Sequence, residues 1–443
     1  MRKYFYIFLL LTLTACSQEV TWDCPPPPRL TQVRESIPVR NVTPIVYLDS
    51  TLSMQGFVNS QDSGYIQTLQ LLDQVIFSIS NQQPQYYRLG TTIQPLVGQT
   101  SAQAAINPNF YDPQEEDALL EVALNNHEPN SEELIIIVTE LLRSNIDYTP
   151  IIDAFRSYLN EGKSIAIIGV RSDFSGLIFD GLLRHQLTGE FLNFQTDPDN
   201  LRPFYLVLIG NNEVIINYFE ELNKRNNHLF NPENFLVINN QLVANIAQFN
   251  ITENYQELAP GLTRVSEIYS QGFNLNITQK ELVDLLQITS TSANQQYQYE
   301  AIPYYPLPYT LPFNTDYQIT YCSDTTTELT NCQTNPNQSQ LLAFPSPEIT
   351  SNQIILTTQI LDSNLSNHLE VINLDIIATE LILPEWIEEW SYNESDRDQS
   401  ATYLGTRTYK LETFLQNLLT SLNQDLQSNP ELIARFCFAV QKQ

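Results

Sequence analysis

The sequence predicts an α/β protein in two parts: a first domain on a mainly parallel sheet, then a β-rich, sandwich-like domain with a C-terminal amphipathic helix. Three observations carry this. Between Thr43 and about Lys224, short continuous apolar runs alternate with helical stripes, the pattern of β-α-β units. From about His228 the composition shifts toward Tyr, Thr, Asn and Pro, in segments that alternate apolar and polar as antiparallel strands do. The length, 443 residues, suits two or three domains, and 42% apolar against 16% charged residues makes them folded ones.

The chain opens with Arg2 and Lys3, an apolar run from Tyr4 to Leu13, and then Leu13-Thr14-Ala15-Cys16. A positive end and an apolar stretch of roughly ten residues mark an export signal, since a membrane-spanning helix needs about 20 apolar residues. The Leu-Thr-Ala-Cys ending resembles the bacterial lipobox. That resemblance implies that residues 1–15 are removed and that Cys16 carries a lipid that anchors the protein to a bacterial membrane, facing the periplasm or the cell surface. Residues 16–42 then read as a tether, with Pro25 to Pro28 favouring an extended polyproline spacer.

Within the first domain, residues 43–227, the buried strands are Pro44 to Leu48, Leu134 to Val138, Ile165 to Val170 and Phe204 to Gly210. Tyr86 to Leu89 and Ile93 to Val97, on either side of Gly90, read as a strand pair. Ile66, Leu69, Leu72, Ile76 and Ile79 form one helix face. Ile151, Ile152, Phe155 and Leu159 form another, ended by Gly162, and a shorter helix is expected over Glu116 to Leu124.

In residues 228–443 the candidate strands are Asn234 to Val243, Phe273 to Thr278, Gln295 to Ile302, Asp316 to Cys322, Ile354 to Leu361 and Leu369 to Leu383. The Pro-rich stretch Tyr304 to Pro312 is an edge or a loop. Leu411, Phe414, Leu415, Leu418, Leu419, Leu422 and Leu426 make the C-terminal helix amphipathic, a face for docking on its own domain. Trp386 and Trp390 are placed to anchor that junction.

Besides Cys16 there are Cys24, Cys322, Cys332 and Cys437, an even set in a chain read as exported. Cys322 and Cys332 bracket a turn-rich segment and are expected to pair. Elimination then leaves Cys24 with Cys437, the alternative being two free thiols with Cys437 buried beside Phe436 and Phe438.

Function classes narrow by charge and motif. Lys plus Arg is 21 against 50 for Asp plus Glu, a net charge of −29 that repels nucleic acid. The four histidines, His127, His185, His228 and His368, are isolated from one another. No zinc-protease, P-loop or nucleophile-elbow motif is present.

The chemistry-bearing stretch is Asp49-Ser50-Thr51-Leu52-Ser53-Met54-Gln55-Gly56, directly after the first strand. There an acid and two hydroxyls at alternate positions can converge in the crevice where open α/β sheets bind ligands. The same letters also suit a strand-to-helix turn whose short polar side chains bond the nearby backbone. The stretch resembles the metal-ion-dependent adhesion site of von Willebrand factor A domains, which reads D-x-S-x-S and often continues Met-x-Gly. Asp49, Thr51 and Ser53 match the ligand positions, with Thr51 for Ser and Leu52 for a frequent Gly.

The family's further acid follows the central strand as T-D-G. Here Thr139-Glu140-Leu141 stands in that place, with Glu for Asp and Leu for Gly. The family's Thr before the third helix has no clear counterpart: Thr100 lies early, and Asp112, Glu116 or Asp117 can substitute.

The resemblance covers roughly 180 residues and implies a Rossmann-like fold and a Mg²⁺ ion, or Mn²⁺ or Ca²⁺, on Asp49, Thr51, Ser53, Glu140 and Asp117. It also implies a protein partner that presents an acid to that ion. The expectation is a non-enzymatic, lipid-anchored binding protein. The alternative is a solute-binding lipoprotein that captures a small molecule between domains.

Overall fold

The apolar runs of the first half become the strands of one seven-stranded sheet. In the computed structural model the described residues are 18–26, 41–58, 63–112, 118–129, 131–141, 147–178, 192–253, 255–270, 273–289, 294–325, 328–334, 339–361, 368–396 and 398–442. They form a mixed α/β protein. In chain order the first strands are β1 (Gln18–Thr21), β2 (Thr43–Asp49), β3 (Gln85–Leu89), β4 (Ile93–Pro95), β5 (Glu133–Thr139) and β6 (Ser164–Ser172). Then come β7 (Ser175–Ile178), β8 (Leu192–Gln195), β9 (Arg202–Gly210) and β10 (Phe235–Ile238). The first sheet has the order β10-β6-β9-β5-β2-β3-β4.

Helices Gly64–Ile79 and Asn212–Arg225 pack on one face of this sheet, against Val46, Leu48, Ile136, Val138, Ile168 and Leu206. Helices Leu120–Leu124 and Thr149–Asn160 cover the other face, against Ile45, Tyr47, Ile135, Ile137 and Ile167. This division follows from strand alternation, since successive side chains of a buried strand face opposite layers. The first helix starts where Ser63 Oγ accepts from Ile66 N at 3.2 Å. The helix over 149–160 is followed by Gly162 at φ 75°, the left-handed position that ends many helices.

The expectation of a mainly parallel sheet is corrected. Only the β2–β3 and β2–β5 pairings are parallel. The β3–β4, β5–β9, β6–β9 and β6–β10 pairings are antiparallel. A parallel partner needs a crossover, and none of the described residues between β6 and β9 is helical. The chain instead runs through the antiparallel pair β7–β8 and comes back as β9, inserted between β5 and β6. The sheet also takes its last strand, β10, from beyond residue 227.

The second half carries its own seven-stranded sheet, ordered 256–259, 262–264, 283–288, 431–442, 368–381, 313–325, 328–334. All of its pairings are antiparallel except Val283–Ile288 with Glu431–Lys442. The amphipathic helix, Leu411–Ser428, is not the last element, as the sequence reading had it. It is followed by strand Glu431–Lys442, paired on both sides. The apolar residues Ile433, Ala434, Phe436 and Phe438 of this strand are fully buried.

The helix docks between the halves. Its Phe414 ring lies 5.1 Å from Tyr148 and 6.3 Å from Phe155 of the first half. Trp386 and Trp390 lie over β6 at Gly169, where a Cβ would sit 2.7 Å from a Trp390 ring carbon, so this position has room only for glycine.

Residues 18–26 pack on the second half and do not form a free spacer. β1 runs parallel to Phe273–Asn276, and Trp22 N donates to Asn276 O at 3.0 Å. Cys24 is disulfide-bonded to Cys437, and Arg435 Nη1 donates to the Pro25 and Pro26 carbonyls at 3.2 and 3.3 Å. Cys322 is disulfide-bonded as well, and its register partner on the neighbouring strand is Cys332. Cys16 lies outside the described residues. Among those residues no helix is long and apolar enough to cross a membrane.

Candidate functional site

Parallel pairing of β2 with β5 puts their carboxyl ends side by side, and with them Asp49 and the Thr139-Glu140 step. After Asp49 the chain folds into the 3-10 turn Leu52–Val58, which brings Thr51 and Ser53 back over the strand end. The turn packs tightly: a Cβ on Gly56 would lie 2.3 Å from the Phe174 ring. The glycine of the Met54-x-Gly56 tail is therefore required by close approach.

The polar side chains form a chain of bonds. Asp49 Oδ1 accepts from Thr51 N at 2.9 Å and from Thr51 Oγ1 at 2.7 Å. Its other oxygen, Oδ2, accepts from Thr139 Oγ1 at 2.7 Å. Thr51 Oγ1 and Ser53 Oγ are 3.4 Å apart, and Ser53 Oγ donates to Glu140 Oε1. Glu140 Oε2 accepts from Arg202 Nη2 at 2.9 Å, and Arg202 Nη1 donates to Gly405 O at 3.0 Å. The guanidinium lies over the Phe174 ring, 5.1 Å from its centre.

All of this is buried: Asp49 is 2% exposed, Thr51 3%, Ser53 1%, Glu140 2% and Arg202 1%. Burial pushes the Asp49 carboxyl up to about 7. The nearby Glu140 charge adds to the rise, while bonds from Thr51 and Thr139 oppose it.

Four of the five sequence-predicted ligands, Asp49, Thr51, Ser53 and Glu140, are thus brought together, and Asp117 lies outside the described residues. The backbone of Asp112 joins the same loop, donating from N to Ser50 O at 3.1 Å, while its carboxylate lies 3.5 Å from Arg88. Thr100 stands at the start of helix Ser101–Ala105.

Sequence reasoning missed Arg202. Its signal was a lone cation at the head of an apolar run, Arg202-Pro-Phe-Tyr-Leu-Val. The charge reaches the site because β9 is antiparallel to β5, which sets the first residue of β9 beside the last residues of β5.

As arranged, the set does not fit a divalent ion. A hard cation wants converging, uncommitted oxygens and room for waters. Here the hydroxyls are spent on the carboxylates, a guanidinium faces Glu140, and the set has no open side.

Leu141 follows Glu140 in an unusual backbone conformation for a leucine. It has φ 54°, a left-handed turn of the kind that favours glycine, here with a leucine in it.

Fold and site together define a mixed α/β protein with two seven-stranded sheets and a buried acid–hydroxyl–guanidinium cluster at the carboxyl ends of two parallel strands. No family model, curated protein or solved structure matches the chain.

Proposed function

We propose that the chain is an exported, lipid-anchored binding protein, not an enzyme, whose first half is a von Willebrand factor A-like module that engages another protein. The observation that carries the reading is the Asp49-x-Thr51-x-Ser53 loop at the end of a central strand, next to Thr139-Glu140 on the parallel neighbour. Helices on both faces of that sheet support it, and the antiparallel β9 is the main departure from the family's arrangement. The Cys24–Cys437 disulfide suits an oxidising compartment outside the cytoplasm. Binding needs no nucleophile or general base, which agrees with the scarcity of histidine.

The anchor is tested by expressing the full chain in bacteria fed an alkyne fatty acid. Label and membrane fractionation should both be lost in Cys16→Ser, and an unlabelled wild type would remove the anchor from the proposal. Binding is tested by cross-linking in the same cells. Repeated adducts of one envelope protein on the first half support the reading; adducts confined to the second half count against it.

A second reading, capture of a small solute, rests on one observation. A cavity of about 640 Å³ lies between the halves, lined by Asn239, Asn240, Leu242, Leu381, Leu426 and Glu431 among others. Asn239 Nδ2 is buried there without a hydrogen-bond partner among the described residues.

A further inference from the structure

We propose that Arg202 is the resident cation of the cluster, holding the place that a divalent ion has in the adhesion sites this loop resembles, so that the site is a metal-independent lock within the fold. The inference rests on the likeness of the loop, and it changes what that likeness means for binding.

The geometry makes the case in three steps. A carboxylate that stays charged when buried is costly without a positive partner, and Glu140, 2% exposed, has one at 2.9 Å on a side chain that is itself 1% exposed. The guanidinium is held independently of Glu140, by the Gly405 carbonyl on one side and the Phe174 ring on the other, so it is a fixed part of the site. Arg202 Nε is buried without a partner among the described residues, and it is a donor, which a metal ion cannot satisfy.

The exclusion of an ion follows from charge and space. A divalent ion among the Thr51, Ser53 and Glu140 oxygens would sit against the guanidinium on Glu140 and would have to break the Ser53–Glu140 bond to gain two ligands. Arg202 also ties β9 to Gly405, which joins the ends of β2 and β5 to the segment that follows helix Glu385–Glu389. The cluster therefore fastens the two halves together at this point, a task that a metal bound from solution would perform only when present.

The test uses the purified full chain and follows its melting temperature in excess Mg²⁺, in excess Mn²⁺ and in EDTA. The wild type should melt at the same temperature in all three. Arg202→Met should melt several degrees lower, because the buried Glu140 carboxylate loses its positive partner. It should regain part of the loss in Mg²⁺ or Mn²⁺, and Arg202→Lys should lie between it and the wild type.

A metal-dependent rise in the wild type, abolished by Asp49→Ala, would overturn the proposal whether or not the Arg202 variants fold. An Arg202→Met protein as stable as the wild type would overturn it too. If Arg202→Met does not fold, the double variant Arg202→Met/Glu140→Gln should, since both charges are then gone; a double variant that fails equally would make Arg202 a packing residue and sink the inference. Loss of partner adducts with unchanged metal indifference would count against the binding module alone, so the two readings fail separately.

Discussion

Leu141 shows how a residue can be wrong for its backbone and right for its surroundings. At φ 54° a side chain crowds the backbone, yet Leu141 is 8% exposed and belongs to the large core cluster, so apolar burial offsets the strain. Truncation removes the burial and leaves the strain. Leu141→Gly is therefore expected to be more stable than Leu141→Ala by about 1 kcal/mol, the reverse of the usual order, as measured by urea unfolding of both variants. The usual order, Ala above Gly, would show that the strain is absent in solution. At the same scale the sequence disclosed Asp49, Thr51 and Ser53 by their alternation at a strand end, and Glu140 only through the resemblance to the adhesion-site loop. Arg202 stayed hidden because its distance from Glu140 along the chain carries no pattern.

Among the elements, the segment just after β1 is joined to the last strand across most of the chain's length. The disulfide between Cys24 and Cys437 spans 413 residues and fixes the segment that follows Cys16 to a central strand of the second sheet. A crosslink over so long a loop restricts the unfolded chain strongly, and losing it typically costs about 3 kcal/mol. Cys24→Ser should lower the midpoint of urea unfolding accordingly. Reductant should bring the wild type to or below that midpoint and leave Cys24→Ser lowered only through Cys322. An unchanged midpoint in Cys24→Ser would mean that the clamp does not hold the native state.

The strand Glu431–Lys442 is not among the strands that the sequence predicts. Its length and apolar character were visible, but its central position came from partners at 283–288 and 368–381. The helix Leu411–Ser428 was legible as amphipathic. Which surface would bury it, the first half as well as its own, was not.

Over the whole molecule, the junction of the halves should make stability depend on pH. Glu431 opens the last strand and accepts from Leu242 N at 2.7 Å, in the segment after β10, and burial pushes its carboxyl up from 4.5 to about 7. The folded state then holds this proton more tightly than the unfolded one. Its contribution is fully present below pH 4.5 and is lost as pH rises from there through 7. Glu431→Gln keeps the acceptor and removes the titration. Comparing unfolding free energies at pH 5 and pH 8, the wild type should lose about 2 kcal/mol more than the variant across that interval. Equal losses would show Glu431 to be solvated.

Taken alone, the sequence determined the six buried or paired strands β2, β3, β4, β5, β6 and β9 and the helices over 64–79 and 149–160, because apolar period and turn residues act locally; it did not disclose the β7–β8 pair or helix Asn212–Arg225. It also determined that an acid and hydroxyls would meet at a strand end, because β2 and β5 are separated by helical connections that keep them parallel. The tertiary structure alone decided the direction of β9. That direction depends on the path taken between residues 172 and 202, and no local pattern encodes a return path. The reversal delivers Arg202 to the end of the sheet where Asp49 and Glu140 lie, and so a cluster that reads as a cation-binding loop carries its positive charge on its own chain.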